Sequence, residues 1–412
     1  MHAEGFRVCR SATRAKLDLR LQAPHSRSKE WRQRRRSLVR IRRRGERQPG
    51  APDADRKSGR APSQIGDHNL RVTLEAIRRD GPLTRLELGS RSGLTGPGIT
   101  NILRRLGDDG LITARKRLGG GSGQPSTEFA INADGAYSVG VRLRGETADA
   151  VLIDLAGKVR QNRSFQIEDP AEGIADALRS ITADFGHVGR LLGVGVAAED
   201  PSTLDLQRLE RTLDPMKSFV ERDSVTAILA ERTFGVSPAE GGLMLIIIDD
   251  HVRAGFLFRG APFGGVRKRA GAIGLMRTGA DHVPLDSIAS LKVLLQALTP
   301  EEREIFARCG AVEITPWVWS WIRNAAGHLV DAIVASAGFL APGAILIGGD
   351  LPANLIEALI VEIAVERGDT AVRPFISPWI SAIRPATFPG AGIAIGAALL
   401  PFFDALLPSP TS

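Results

Sequence analysis

The sequence predicts an α/β protein in which a small three-helix unit with a hairpin stands ahead of a larger, two-lobed sheet body. Three observations carry that prediction. The charge is split along the chain, three short helical stretches precede two strand-like ones between Asn69 and Ile131, and two strand-then-helix cycles follow Tyr137. The length of 412 residues accommodates two or three domains, and the 43% apolar and 24% charged composition is that of a globular protein. That is ample chain for a core, which excludes a disulfide-dense mini-protein. The two cysteines, Cys9 and Cys309, lie too far apart in sequence to suggest a cysteine-rich zinc site, and they predict a reducing, cytoplasmic compartment.

The net charge of +8 conceals its distribution. Residues 1–60 carry 19 Lys+Arg against 6 Asp+Glu, residues 61–135 carry 10 against 8, and residues 136–412 carry 25 against 32. Residues 1–64, with Trp31-Arg32-Gln33-Arg34-Arg35-Arg36 and Arg40-Ile41-Arg42-Arg43-Arg44 followed by a Pro/Gly/Ser-rich stretch, are expected to be a disordered basic tail. Such a tail serves either as a nonspecific grip on DNA or as a solvated extension. The most apolar stretch, Gly390 to Phe403, is 14 residues, short of the ~20 that span a bilayer, and reads as a buried Gly/Ala-rich helix. The N-terminus lacks the apolar run of a secretory signal, although its Arg-rich, acid-poor composition would suit an organellar transit peptide.

From Asn69, Leu70, Leu74 and Ile77 recur at i, i+4 and i+7 on one helix face, ending before Gly81-Pro82. Thr84 is placed to cap a second helix, Arg85 to Ser90, with Leu86 and Leu88 as its apolar residues. Gly93 turns the chain, and Thr95 caps a third helix whose stripe is Ile99, Ile102, Leu103 and Leu106. A strand from Leu111 to Arg117, a glycine-rich hairpin at Gly119 to Gly123 and a return strand to Ile131 complete the order of a winged helix-turn-helix, residues 65–135. The third helix offers Pro97, Thr100, Asn101, Arg104 and Arg105 on its opposite face, groups that donate to phosphates or base edges in a major groove. Arg115, Lys116 and Arg117 stand at the base of the wing, within reach of a flanking backbone. Double-stranded DNA is therefore the expected partner.

In the body, residues 136–412, Val139 to Leu143, Ala148 to Asp154 and Ser164 to Ile167 read as a meander, with Gly157 in the second turn. A helix from Ala171 to Phe185, a strand from Leu191 to Val196 and a helix from Ser224 to Phe234 follow. The second cycle has strands at Leu243 to Ile248 and Ala254 to Phe258, a long helix from Trp317 to Ala337, a strand from Ala344 to Ile347 ending in Gly348-Gly349, and a closing helix from Gly390.

These segments resemble, in order and over roughly 340 residues, the ROK family of bacterial transcriptional repressors and sugar kinases. The resemblance rests on Thr84-Arg85-Leu86-Glu87-Leu88, Gly93-Leu94-Thr95, Leu106-Gly107-Asp108-Asp109-Gly110-Leu111-Ile112, Leu152-Ile153-Asp154-Leu155-Ala156-Gly157, Val220-Glu221-Arg222-Asp223 and Ile345-Leu346-Ile347-Gly348-Gly349-Asp350-Leu351. It also includes Gly123-Gln124-Pro125, where family regulators usually show Gly-Arg-Pro, and Gln124 joins the candidate DNA-contacting set there. The resemblance implies a two-lobed actin-like, ribonuclease-H-like ATPase-type fold with a cleft between the lobes.

The departures from the family matter equally. Family kinases carry Glu-Asn-Asp-Ala-Asn, whose Asp is the general base; the matching stretch is Glu221-Arg222-Asp223-Ser224-Val225, with both Asn residues lost. Where a glycine-rich phosphate loop should follow Ile248 stands Asp249-Asp250-His251-Val252-Arg253, and two carboxylates repel a polyanion. The family's Ala-Gly-Glu-x-Gly-His element appears as Ala270-Gly271-Ala272-Ile273-Gly274-Leu275, and Arg277 to Ser290 holds no cysteine for its zinc. Gly348-Gly349, a nucleotide contact in family kinases, also serves as a tight strand-to-helix turn.

The expectation is thus a DNA-binding regulator, a repressor of carbohydrate-related genes, with no catalytic residue, cofactor or metal. The alternative is a carbohydrate kinase using Asp223 as general base. Arg222, Asp223, Asp249, Asp250 and His251 are the candidate ligand-binding residues, suited to an acidic or amino-bearing effector or else paired among themselves. A sugar or sugar-derived effector, a homodimer or homotetramer and no membrane association complete what the resemblance implies.

Overall fold

The computed structural model describes residues 62–116, 126–183, 190–235, 242–368 and 381–410. The basic tail to residue 61, the tip of the wing with Arg117 and Gln124, and the predicted glycine hairpin lie outside these residues.

The first unit runs α1 (Pro62–Asp80), β1 (Leu83–Thr84), α2 (Arg85–Ser92), α3 (Gly96–Asp108), β2 (Ile112–Lys116) and β3 (Thr127–Ile131). The strands form a small sheet in the order β1-β3-β2, so the predicted hairpin gains a third strand from the residues just before α2. Leu74, Ile77, Leu88, Ile99, Leu103 and Leu106 close the core of this unit. Leu88 is 1% exposed, but Leu86 is 83% exposed and is no core residue. The reason is geometric: positions i and i+2 on a helix point about 200° apart, so one buried face cannot take both.

The body begins with β4 (Tyr137–Arg144), β5 (Thr147–Asp154), β6 (Val159–Gln166), α4 (Pro170–Ala183), β7 (Leu191–Ala198), α5 (Leu206–Leu213), β8 (Ser218–Arg222) and α6 (Asp223–Phe234). It continues through β9 (Leu243–Ile248), β10 (Val252–Phe258), β11 (Ala261–Pro262), β12 (Arg277–Thr278), β13 (Val283–Pro284), α7 (Asp286–Ala289), α8 (Leu291–Ala297) and α9 (Pro300–Cys309). It ends with α10 (Pro316–Leu340), β14 (Ala344–Gly349), α11 (Ala353–Gly368), β15 (Ile383–Pro385) and α12 (Gly392–Ala405). The third strand thus starts at Val159, five residues earlier than the sequence suggests, and Ile167 lies beyond it, buried against the first-lobe core. The mostly polar residues 159–163 carry no period-2 apolar signal because β6 is an edge strand in which every residue is exposed or half-buried, so neither face demands an apolar set.

The two sheets repeat one topology. In the first lobe the order is β6-β5-β4-β7-β8, and in the second it is β11-β10-β9-β14-β15. Each is an antiparallel three-strand meander with two further strands parallel to its first strand. Helices α4 and α5 cover the outer face of the first sheet, and α10 and α11 that of the second. Between the sheets lie α6 and α12. Glycine explains their closeness: a Cβ at Gly195 would sit 1.8 Å from the Ala397 carbonyl oxygen, and one at Gly396 would sit 1.7 Å from that of Thr226. The Gly/Ala-rich stretch expected to be buried is therefore the helix on which β4, β7 and α6 converge. No helix among the described residues is long and apolar enough to cross a membrane.

Candidate nucleic-acid interface and interlobe cleft

The interface is built from local rules. Thr84 accepts from the Glu87 amide while the Glu87 carboxylate accepts from the Thr84 amide, a reciprocal capping box that starts α2. Gly93, at φ 66°, ends it in the left-handed conformation that glycine tolerates without strain. Thr95 occupies the cap position of α3, but its side chain makes no capping bond; Pro97 in the first turn starts that helix instead. With Ile99, Leu103 and Leu106 turned inward, Pro97, Thr100, Asn101, Arg104 and Arg105 are all exposed, as are Thr95, Arg115 and Lys116.

These exposed groups are loosely tethered. Arg104 donates to Asn101 Oδ1 at 3.0 Å and to Asp108 at 3.2 Å, Arg105 lies 3.5 Å from Asp67, and Arg115 lies 3.5 Å from Glu128. Exposed pairs of this kind contribute about 0–1 kcal/mol each, so a phosphate or base edge displaces them at little cost. Arg85, not singled out by sequence, donates to Thr100 Oγ1 at 3.3 Å and borders an open groove between α2, α3 and the wing. Its signal was present: the first helical residue after a cap, on the helix that precedes α3.

The five candidate ligand residues, Arg222, Asp223, Asp249, Asp250 and His251, line a single cleft of about 550 Å³ between the lobes. Sequence reasoning missed the cations that organise it. Arg142, 3% exposed in the middle of β4, donates to Asp249 at 2.8 Å and to both carboxylate oxygens of Asp350 at 2.7 and 2.9 Å. Arg253 pairs with Asp223 at 3.0 Å, with Glu199 at 3.1 Å and with Asp249. Arg144 adds a 3.0 Å bond to Asp350. An arginine between Val141 and Leu143 in a mostly apolar strand was the available signal for Arg142. His251 faces Asp286 at 3.2 Å, and Asp250 is exposed. Among the described residues the Arg222 side chain has no ion pair, and its buried Nε is unsatisfied.

Burial pushes the Asp249 carboxyl up to about 6 against the pull of Arg253 and Arg142. Burial likewise raises Asp223, opposed by Arg253. Burial works on Asp350 too, but Arg142 and Arg144 outweigh it and hold that carboxyl below the usual range. Asp249 and Asp350 follow β9 and β14 of the second lobe, whereas Arg142 belongs to the first, so this buried network ties the lobes together across the cleft.

Asp223 is ion-paired, and two carboxylates stand at the position of the phosphate loop. Gly348 and Gly349 line a cavity of about 10 Å³, room for one water molecule. Gly349 is at φ 109° with its Cα against the Ile248 backbone, a turn requirement in its own right.

Comparison with known proteins agrees with this architecture. Residues 67–113 match the family model for winged helix-turn-helix DNA-binding domains. The chain is 28% identical over 363 residues to the uncharacterized protein y4fQ of Sinorhizobium fredii, covering 82% of this chain and 91% of that one. It is 24% identical over 241 residues to the DNA-binding transcriptional dual regulator NagC of Escherichia coli, spanning 52% of this chain and 59% of the regulator's length. In structure it is similar to a ROK family transcriptional regulator homologous to the E. coli MLC protein, with a TM-score of 0.59 at 19% identity over 82% of this chain and 96% of that one. The body alone also shares its fold with a ROK family glucokinase of Streptomyces griseus, with a TM-score of 0.51 at 19% identity over 64% of this chain and 98% of that one. The chain thus joins a winged helix-turn-helix domain to a two-lobed, sugar-kinase-like body, the fold of ROK family proteins, and is similar to their DNA-binding transcriptional regulators.

Proposed function

We propose that the protein represses carbohydrate-related genes in the cytoplasm by reading an operator with α3 and the wing, its body serving as an effector and oligomerisation module without kinase turnover. In this reading residues 65–135 form the DNA-binding domain, residues 136–412 the effector domain, and residues 1–64 a basic tail. The observation that carries it is the division of α3, whose apolar stripe is buried while Thr100, Asn101, Arg104 and Arg105 stand exposed on one side. Relatives in E. coli include N-acetylglucosamine repressors, which supports a carbohydrate link without naming this chain's own sugar. A dimer or tetramer suits the task, because two-fold half-sites multiply the few base contacts of one winged helix. An effector in the cleft at Arg222, Asp223, Asp249, Asp250 and His251 would act by favouring one lobe arrangement.

Selection of duplexes from a random pool tests the reading. The wild type enriches a defined sequence at moderate salt, and the Thr100/Asn101/Arg104 triple alanine variant loses that preference while retaining its fold. Absence of any enrichment defeats the proposal. Turnover with ATP, magnesium and a hexose panel, abolished by Asp223→Asn, would instead establish the kinase alternative.

A further inference from the structure

We propose that α6 is a strut coupling the interlobe cleft to the DNA-binding head, with Arg78 and Arg71 as the positioning residues that fasten the head to its far end. The proposal rests on the regulator reading above. Helix α6 starts in the cleft at Asp223, whose carboxylate meets Arg253 at 3.0 Å, and ends at Phe234. Its 12 residues span about 18 Å. At that end Arg78 of α1 donates to the Thr233 carbonyl at 3.3 Å, and its guanidinium lies 4.9 Å from the centre of the Phe234 ring. Glu75, one turn earlier on α1, takes two bonds of 2.7 Å from Arg78 and fixes its orientation. The Arg78 side chain is 3% exposed, which places this clasp inside the molecule rather than on its surface.

A second fastening lies alongside. Arg71, two turns before Arg78 on α1, donates to the carbonyls of Phe403 at 2.8 Å, Asp404 at 2.7 Å and Leu407 at 3.1 Å. These acceptors stand at the C-terminal end of α12 and just beyond it, where helix geometry leaves carbonyls without intrahelical partners and a cation suits the helix dipole. Leu70, Leu74 and Ile77 of α1 share one apolar cluster with Leu399, Phe402 and Leu406. Helix α1 is thus bolted to the ends of both helices that fill the space between the sheets.

Helix α6 has no room to bend sideways. A Cβ at Gly255 of β10 would lie 2.3 Å from the Ser224 carbonyl oxygen, and one at Gly396 of α12 would lie 1.7 Å from that of Thr226. A helix held between two backbones transmits a displacement of its first turn to its last, because packed interiors shift between discrete arrangements rather than deforming smoothly. A change at the Asp223–Arg253 pair therefore reaches α1 through Arg78, and the head follows the body rather than swinging on a loose linker.

Amide hydrogen exchange on the full-length protein tests the coupling. Asp223→Asn keeps the side chain's size and removes its charge from the pair with Arg253. Exchange is expected to rise in α6 and also, by about fivefold or more, in residues 67–80 of α1. In an Arg78→Ala background the α6 response persists while the α1 response falls below about twofold, and Arg78→Lys, which keeps the cation, restores part of it. An α1 that ignores Asp223→Asn, or responds equally with Arg78→Ala, overturns the strut. If Asp223→Asn does not fold, Arg253→Gln breaks the same pair from β10 with the same expectations. Binding to a duplex selected by the wild type adds a functional arm. Asp223→Asn changes that affinity by about threefold or more, and Arg78→Ala removes the dependence. An affinity that Asp223→Asn leaves unchanged, or changes equally in the Arg78→Ala background, counts against the strut. If the wild type selects no sequence, the regulator reading fails while the exchange experiment still decides the coupling.

Discussion

Replacing Arg142 by methionine isolates the energetics of the interlobe network. The substitution keeps most of the buried volume and deletes the cation that reaches Asp249 at 2.8 Å and Asp350 at 2.7 Å. Neither carboxylate is left bare, since Asp249 keeps Arg253 and Asp350 keeps the half-exposed Arg144. Removing one partner from a buried ionic cluster costs about 3–5 kcal/mol, because the remaining charge is desolvated without full compensation. At pH 7.5, urea denaturation of the full-length protein should show a loss of that size. The pH dependence then identifies the carboxylate responsible. The Asp249 carboxyl is raised to about 6, so its buried charge costs stability above that pH and the cost is relieved as pH falls through it. Asp350 is depressed, so its contribution is present above the ordinary carboxylate range and is lost only below it; it stays ionised at pH 5. The cost of Arg142→Met should accordingly shrink by about 1–2 kcal/mol between pH 7.5 and pH 5. A cost below about 1 kcal/mol at pH 7.5, or one identical at the two pH values, would refute the reasoning.

Two further outcomes follow from packing. Leu88→Ala should destabilise the protein by about 2–5 kcal/mol whereas Leu86→Ala should stay within about 0.5 kcal/mol, as thermal or urea unfolding would register. Gly195→Ala should prevent accumulation of folded protein, since its methyl group would sit 1.8 Å from the Ala397 carbonyl oxygen of α12, a backbone atom that cannot rotate aside. Soluble expression with a native circular dichroism spectrum would contradict it.

Some elements carry local signals in the sequence beyond those of the main stripes and turns. Helix α5 opens with Asp205 accepting from the Arg208 amide, and Leu209 and Leu213 are its buried face. Helix α9 begins with a Thr299–Glu302 capping box and Pro300 in the first turn. Others had little to offer. Helix α11 is apolar on several sides, so no single face stands out, and β15 is three residues at a sheet edge.

What the sequence determined by itself is what neighbours within about two turns can decide. The capping box at Thr84 and Glu87, the glycine turn at Gly93, the stripe Ile99, Leu103, Leu106 and the apolar run Leu243 to Ile248 are each written in adjacent residues. The same is true of the exposed cationic face of α3, because helix periodicity separates it from the stripe. Only the tertiary structure could decide that Arg142 meets residues 107 and 208 positions away, or that Arg78 reaches the end of α6 155 positions away. Those encounters depend on strand order and on two glycine-lined helix contacts, which no local pattern encodes. Charge alone could not say whether the cleft's carboxylates stood free or paired, because the answer lay in which strands came to lie side by side.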